Sequence, residues 1–230
     1  EDHSGIMVFA EGDVEIGSDA ISALEINDVI FDIAVNPDRG YALSIRGIAR
    51  EIAASLALKF TDPVDALRGL QFAETGKGVT AKIADKETAS VFYLRTLSDF
   101  DPSAKVPIWM RRRIEKMGMR SISLVVDITN YVMLELGQPL HAFDKSKISG
   151  GLTIKRAGKA QKFITLDGQE RNLDPDDLMV CDDKQPLALA GTMGGLSSEI
   201  TDTTTDIALE AVRFDPVCVA KNSRRHKLSS

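Results

Sequence analysis

The order of secondary structure patterns in the C-terminal part of the chain constrains the fold more than any other feature. A strand is predicted by the β-branched and aromatic run "ASVFYLRTL" (89–97). Two helices follow: one begins near Pro107 and ends at Gly118, and the next covers about 123–136, with Gly137 as its C-terminal stop. Short strand patterns fill most of the remainder. This order predicts an α+β fold.

Turn residues separate the strand patterns that follow the second helix. The dipeptide Asp167-Gly168 lies between strand-like flanks and indicates a β-hairpin. Asp215 followed by Pro216 is typical of an N-cap with proline in the first helical turn, so a last helix is predicted there. The predicted strands lie in "GLTIKRA", "QKFITLDGQERNL", "DLMVCDD", "QPLALAG" and "DIALEAV".

The N-terminal part predicts a smaller unit. Residues 1–28 are rich in Gly, Asp and Glu and are expected to be irregular. A strand is predicted for "VIFDIAV" (29–35), in which alternate residues are apolar. After a turn, Ser44 is a plausible N-cap for a helix that extends to about Leu58. The stretch "AETGKG" (73–78) is expected to link this strand–turn–helix unit to the rest.

Composition is typical of a globular protein, with 43% apolar residues among 230. No run approaches the roughly 20 apolar residues needed to cross a bilayer. Cys181 and Cys218 lack CxxC spacing, and with only three histidines a structural zinc site is not expected. A reducing, cytoplasmic setting fits these cysteines. Because the first residue is Glu1 and not methionine, we expect a piece of a longer chain.

Net charge is −6, so the surface as a whole does not favour nucleic acid. Any RNA contact would be local, and two basic clusters are candidates: Arg111–Arg113 with Lys116, and Lys221 with Arg224–Lys227. Solvated helix faces and a polar tail explain the same clusters equally well.

One of the three histidines, His141, lies in "NYVMLELGQPLHAFD" (130–144), just after a predicted helix stop. A histidine in such a position is more often a packed or capping residue than a catalytic one. Asp144, three residues later, makes a metal pair conceivable, but no third or fourth ligand is evident.

Three glycines follow an apolar strand in "LALAGTMGGLSSE" (187–199). Glycines in such a loop allow backbone N–H groups to approach a ligand, although turns between strands also use glycine routinely. The pattern is not a P-loop, because no Gly-Lys-Ser/Thr follows. Ser197 does not lie in the Gly-x-Ser-x-Gly pattern of a nucleophile elbow.

Glu210 stands inside a strand pattern that is apolar on both faces. Because carboxylates are rarely buried without a partner, Glu210 lies either at an exposed edge or in a position kept for a polar role.

Together these stretches resemble the bacterial phenylalanyl–tRNA synthetase β subunit family, over roughly residues 1–230. The resemblance implies an irregular segment (1–28) after a tRNA-binding OB domain that this chain lacks. It further implies a B1-like subdomain (29–75) and a mixed-sheet B3/B4-type editing domain (85–230). The most specific motifs are "NYVMLELGQPLHAFD" and "PLALAGTMGG", and the others are "NPDRGYALSIRGIAREIAASL", "ITLDGQERNLDPDDLMVCDDKQPLALAGTMGG" and "ALEAVRFDPVCVAKNSRRHKLSS".

The resemblance implies a catalytic site that hydrolyses tyrosine wrongly attached to phenylalanine tRNA. His141 would line the editing pocket and help to position the attacking water, and Asn130 would form part of the pocket wall. Glu210 would read the tyrosine hydroxyl group.

The resemblance also assigns the glycine-containing loop to substrate binding. Ala190 and Gly191 would shape the amino-acid cavity. Thr192 occupies a place where relatives often have an apolar residue, which would slightly alter the loop.

The implied partners are the acceptor end of tRNA(Phe) and the synthetase α subunit, in a tetramer of two α and two β subunits. No membrane or DNA partner, no metal and no cofactor is expected for this chain. ATP and magnesium would serve the synthetic site on the absent α subunit. The alternative is a non-catalytic RNA-docking and subunit scaffold within the synthetase. A stand-alone metal-dependent hydrolase is disfavoured by the shortage of ligands.

Overall fold

The computed structural model describes residues 6, 8–9, 11–12, 14–24, 26–71 and 78–228. Five α-helices and ten strands lie in this part of the chain, which confirms the predicted α+β fold. The helices are α1 (Ala20–Ala23), α2 (Ile45–Ser55), α3 (Ile108–Lys116), α4 (Leu124–Leu136) and α5 (Pro216–His226). The strands are β1 (Ala81–Ile83), β2 (Ala89–Leu97), β3 (His141–Asp144), β4 (Leu152–Arg156), β5 (Gln161–Ile164), β6 (Glu170–Leu173), β7 (Leu178–Cys181), β8 (Pro186–Leu189), β9 (Met193–Gly194) and β10 (Ile207–Phe214).

The strands of the described residues form three sheets. A five-stranded sheet has the order β1-β4-β7-β8-β9, with β1 parallel to β4 and the other pairs antiparallel, so it is mixed as predicted. A three-stranded antiparallel sheet has the order β2-β10-β3. β5 and β6 form the predicted hairpin, and Gly168 in its turn has φ +74°.

The main apolar core joins the two larger sheets. Phe143 and Ala208 contribute from the three-stranded sheet, and Leu152, Ile154 and Leu178 contribute from the five-stranded one. All five are buried. Burial of a large apolar side chain stabilises a fold by about 1.5–3 kcal/mol, so this cluster holds the two sheets in a fixed relation.

The helix boundaries follow the predicted capping residues. The Ser44 hydroxyl accepts a hydrogen bond from the Gly47 N–H group at the start of α2, and the Asp215 carboxylate accepts one from the Cys218 N–H group at the start of α5. Gly137 ends α4 in the left-handed conformation, with φ +78°. These caps satisfy backbone groups that a helix terminus leaves without partners.

The strand predicted for residues 29–35 is wrong. All seven residues are described, and they pair with no other strand. Val29 and Phe31 are 73% and 78% exposed. An alternating apolar pattern forms a strand only when a neighbouring strand supplies the hydrogen bonds, and no described segment does so here. Of the predicted link 73–78, residues 73–77 lie outside the described residues.

Several cations of the two basic clusters are paired within the chain. Arg112 pairs with Glu115 at 2.9 Å, and Lys116 pairs with Asp28 at 2.7 Å. In α5, Arg225 and the Nε2 atom of His226 both contact the buried carboxylate of Asp177. These contacts reduce the positive charge that either cluster offers to RNA.

In the described part of the chain, no helix combines the length and the apolar character that a bilayer crossing requires.

Candidate active site

The central strand β10 brings His141 and Glu210 together. In the antiparallel register, Glu210 lies opposite His141 of β3 on one side and opposite Leu94 of β2 on the other. Directly opposite residues of an antiparallel pair have side chains on the same face, with Cβ atoms about 4.5–5.5 Å apart. The same face carries Phe143 opposite Ala208, and both are core residues. His141 and Glu210 therefore stand side by side at the end of the apolar core.

Glu210 is buried, with 6% of its surface exposed, and its strand has neighbours on both sides. An exposed edge position is therefore excluded. The Oε2 atom is buried and has no hydrogen-bond partner among the described residues. Burial raises the pKa of the Glu210 carboxyl group to about 8. The group is consequently protonated at neutral pH, and it keeps hydrogen-bonding capacity for a further polar group.

His141 is half-buried and borders a cavity. Its ring meets that of Phe143 edge to face, with 4.5 Å between the ring centroids. Burial lowers the pKa of the imidazole to about 4, so the ring is neutral at physiological pH. A neutral imidazole has one nitrogen that donates and one that accepts, which suits it to hold a water molecule.

Gly194 of β9 lies against the His141 ring. A Cβ atom at this position would be 2.5 Å from the Cε1 atom of His141 and 2.8 Å from its Nε2 atom. Any side chain at position 194 would therefore displace the imidazole. Next to it, a Cβ atom on Gly195 would lie 2.6 Å from the Leu187 carbonyl oxygen. These two loop glycines thus permit close packing of the loop against the site and the core.

A cavity of about 1210 Å³ extends from His141 to helices α3 and α4. Asn130 and Thr129 of α4 line it together with His141 and Leu166. The remaining walls come from residues 100–108, from 121–126, from Glu199–Asp202 and from several single residues. The cavity therefore unites two of the predicted site residues, Asn130 and His141.

The other four predicted residues do not line this cavity. Glu210 lies beside His141, on the neighbouring strand, and is not among the residues that line the cavity. Ala190 is fully buried in the main core, and Thr192 donates a hydrogen bond from its hydroxyl group to the Ala190 carbonyl oxygen. Gly191 has φ +63°, and a Cβ atom there would lie 2.8 Å from Val219 of α5. The roles assigned to these residues by resemblance stay predictions.

The cavity wall before α4 is held by a buried carboxylate. Asp127 accepts hydrogen bonds from the Ser121 hydroxyl group and, at 2.9 Å, from the Ile122 N–H group. The hydroxyl group of Ser123 makes no capping hydrogen bond. Asp127 thus fixes the chain just before the helix, and it positions the Ser121–Ser123 segment of the wall.

Residues 88–230 match the family model described as the B3/4 domain. This chain belongs to the B3/4 domain family. Among the described residues of the B3/4 domain and the segment before it, no group of three or more His, Cys, Asp or Glu side chains has an arrangement that would hold a metal ion.

Curated relatives extend the similarity to the whole chain. The phenylalanine–tRNA ligase β subunit of Thermobifida fusca is 53% identical over 230 residues, which are 100% of this chain and 27% of that protein. The β subunit of Streptomyces avermitilis is 51% identical and covers 100% of this chain and 28% of its own length. These relatives confirm the predicted resemblance, and the chain spans about a quarter of their length.

Among solved structures, an N-terminal fragment of the phenylalanyl-tRNA synthetase β subunit from Pyrococcus horikoshii is similar at a TM-score of 0.47. It is 14% identical, and the match covers 83% of this chain and 59% of that one.

Sequence reasoning missed three features of the B3/4 domain site. Asp127 is an acidic residue within an apolar helical run, and that contrast was the available signal. Thr129, which lines the cavity, stands next to the predicted Asn130. The contact of Gly194 with His141 had no local signal, because it depends on the pairing of β8 with β9.

Proposed function

We propose that this B3/4 domain hydrolyses tyrosine that is wrongly esterified to phenylalanine tRNA, as the editing module of a phenylalanine–tRNA ligase β subunit. One observation carries the proposal: a buried, neutral carboxyl group with an unpartnered oxygen, on Glu210, stands opposite the imidazole that borders the cavity. Such a group is costly unless a ligand supplies its partner.

Glu210 would select tyrosine through the para-hydroxyl group. Tyrosine supplies a hydrogen bond to the carboxyl group, whereas phenylalanine leaves the Oε2 atom buried and unpartnered. An unsatisfied buried polar group costs about 1–3 kcal/mol, which corresponds to a preference of roughly 5- to 150-fold. A purely apolar synthetic pocket rejects an added hydroxyl group by only about a hundredfold, so a second selection of this kind is useful.

His141 would orient the attacking water and give weak assistance as a base. A pKa near 4 makes the imidazole a poor proton acceptor at neutral pH. An aminoacyl ester is already reactive, so a water held at the correct position contributes much of what hydrolysis needs. Asn130, on the α4 wall of the cavity, is available for a hydrogen bond to the aminoacyl ester.

The substrate must pass the His141 ring to reach Glu210, because His141 lines the cavity and Glu210 does not. Adjacent strands are about 4.7–4.9 Å apart, and the proposal requires a change in the side-chain rotamer of His141 to connect the cavity with the carboxyl group. Tyrosine binding would therefore be accompanied by a movement of the imidazole.

The proposed partners are the acceptor end of tRNA(Phe) and the ligase α subunit, in the cytoplasm. We propose that hydrolysis uses no metal or cofactor in this chain. ATP and magnesium would act at the synthetic site of the α subunit.

The test is deacylation of Tyr-tRNA(Phe) and Phe-tRNA(Phe) by the assembled ligase. We expect Glu210→Ala to lose most of the preference for tyrosine. A matched control is Glu170→Ala, since Glu170 is exposed on β6 and pairs only at the surface with Lys162. If Glu210→Ala and wild type deacylate Tyr-tRNA(Phe) at equal rates, the non-catalytic RNA-docking scaffold is the better account.

A further inference from the structure

The cavity is larger than an amino acid requires. Sites that enclose drug-sized ligands typically have volumes of about 300–1,000 Å³, whereas this cavity measures about 1210 Å³. His141 of β3 and Arg111 of α3 both line it. The volume leaves room for a group attached to the aminoacyl moiety, and the part of the cavity lined by α3 and the loop before it is called the α3 lobe below.

Most cations of α3 are committed to partners within the chain. Arg112 pairs with Glu115, Arg113 donates a hydrogen bond to the Tyr131 hydroxyl group and stacks over Trp109, and Lys116 pairs with Asp28. None of these three cations lines the cavity. They stabilise the helix and its contacts. The positive charge of the cavity wall therefore comes from other residues.

Arg111 differs from the other cations of α3 because it lines the cavity. Its Nε atom, like that of Arg112, is buried without a hydrogen-bond partner among the described residues, but only the Arg111 side chain borders the cavity. The nearest carboxylate oxygen, on Glu115, is 4.0 Å from the Arg111 Nε atom. The other oxygen of the same carboxylate already pairs with Arg112. A guanidinium group is always charged, and a buried donor without an acceptor is costly. The arrangement suits an incoming anion.

Lys105 adds a second positive charge to the same lobe. Its side chain lines the cavity, is exposed, and forms no ion pair with any residue that the structure describes. The lining also contains two acidic residues, Glu199 and Asp202. Both basic residues of the lining, Lys105 and Arg111, belong to α3 and the loop just before it.

We propose that Arg111, assisted by Lys105, binds a backbone phosphate of the single-stranded 3′ end of the RNA substrate, and so positions the terminal ester toward His141. The inference rests on the proposed function, because it gives the RNA part of that substrate a binding site. Arginine suits the role since its planar donors match phosphate oxygens in a two-point contact. Arg111 is a positioning residue that does not touch the ester.

The experiment compares two substrates in the assembled ligase. One is Tyr-tRNA(Phe), and the other is the 3′-tyrosyl ester of adenosine, which has no phosphate. Arg111→Gln is expected to raise KM for Tyr-tRNA(Phe) roughly tenfold and to leave kcat, and both constants for the adenosine ester, unchanged. Arg111→Lys should recover part of the loss, because it keeps the charge. Lys116→Gln is the matched control: it removes one charge from the same helix, outside the cavity.

A salt titration adds an independent measurement. Loss of one phosphate contact should lower the slope of log KM against log salt concentration by about 0.7. Equal effects of Arg111→Gln on both substrates, or equal effects of Arg111→Gln and Lys116→Gln on the tRNA substrate, would overturn the proposal.

Direct binding separates this inference from the editing proposal. If the wild-type ligase hydrolyses neither ester, affinity for a short single-stranded RNA ending in a free 3′ hydroxyl group is measured by fluorescence anisotropy. Weaker binding by Arg111→Gln than by Lys116→Gln would support the phosphate site even though editing had failed. Equal binding would reject it.

Discussion

Replacement of Glu210 by glutamine should stabilise the protein at neutral and alkaline pH. In the folded protein, burial raises the pKa of this carboxyl group from an ordinary value of 4.5 to about 8. Between these two values the unfolded chain releases a proton that the folded protein retains, so stability falls as the pH rises. Glutamine has nearly the same shape and cannot ionise, and Glu210→Gln therefore removes this penalty.

The magnitude follows from the two pKa values. Each pKa unit corresponds to about 1.36 kcal/mol, so the penalty is about 3 kcal/mol at pH 7 and approaches about 5 kcal/mol well above pH 8. His141 acts in the opposite direction at lower pH. Burial lowers the pKa of His141 from 6.5 to about 4, so the stability that its neutral ring contributes to the folded state is lost as the pH drops through that range. Because His141 is present in both proteins, its effect cancels in their difference.

The assay is urea unfolding of this chain and of Glu210→Gln between pH 5 and pH 8.5. The free energy of unfolding of the variant, relative to wild type, should increase by about 4 kcal/mol over that range. At pH 7, a gain of about 3 kcal/mol would raise the melting temperature of a chain of this size by roughly 6–12 °C. A difference that is independent of pH would show that Glu210 is not held protonated in the folded state, and would refute the reasoning.

Three further substitutions test the packing around the site. Gly194→Ala should displace the His141 ring and slow deacylation of Tyr-tRNA(Phe) at least tenfold, whereas Gly40→Ala, with no atom within 4 Å of the new Cβ atom, should not. Unchanged deacylation by Gly194→Ala would contradict the assigned contact. Phe143→Ala should lower the free energy of unfolding by about 3–5 kcal/mol, since the ring is fully buried, and urea unfolding measures this loss. Asp215→Ala should cost about 1 kcal/mol in the same assay through the lost cap of α5; no change would argue against that cap.

The elements that could be predicted from the sequence are those whose first and last residues depend on local chemistry. Ser44, Gly137 and Asp215 mark helix ends through hydrogen bonds and backbone angles within a few residues, and all three predictions were confirmed. The turn at Gly168 was predictable for the same reason. Strands that exist only through distant pairing were not predicted: β3 has four residues and β9 has two, and each depends on a partner elsewhere in the chain.

The arrangement of the candidate site could not be predicted from the sequence, and the roles of its six named residues stay predictions. The polar residue inside an apolar strand pattern, Glu210, was a valid signal of an unusual environment, and the structure buries it. Its position opposite His141 depends on the register between β3 and β10, which no local pattern contains. The resemblance named Ala190 and Gly191 as cavity residues, but the structure packs them into the core and against α5.

The place of β10 between β2 and β3 has a consequence for synthesis on the ribosome. β10 is the last strand of the described chain, but it lies between two strands that are synthesised much earlier. Its residue Ile207 pairs with Leu97 of β2. Contacts between such distant residues form late and slowly. A nascent chain that has not yet exposed β10 cannot place His141 beside Glu210, so this pair of side chains comes together only after most of the domain has been translated.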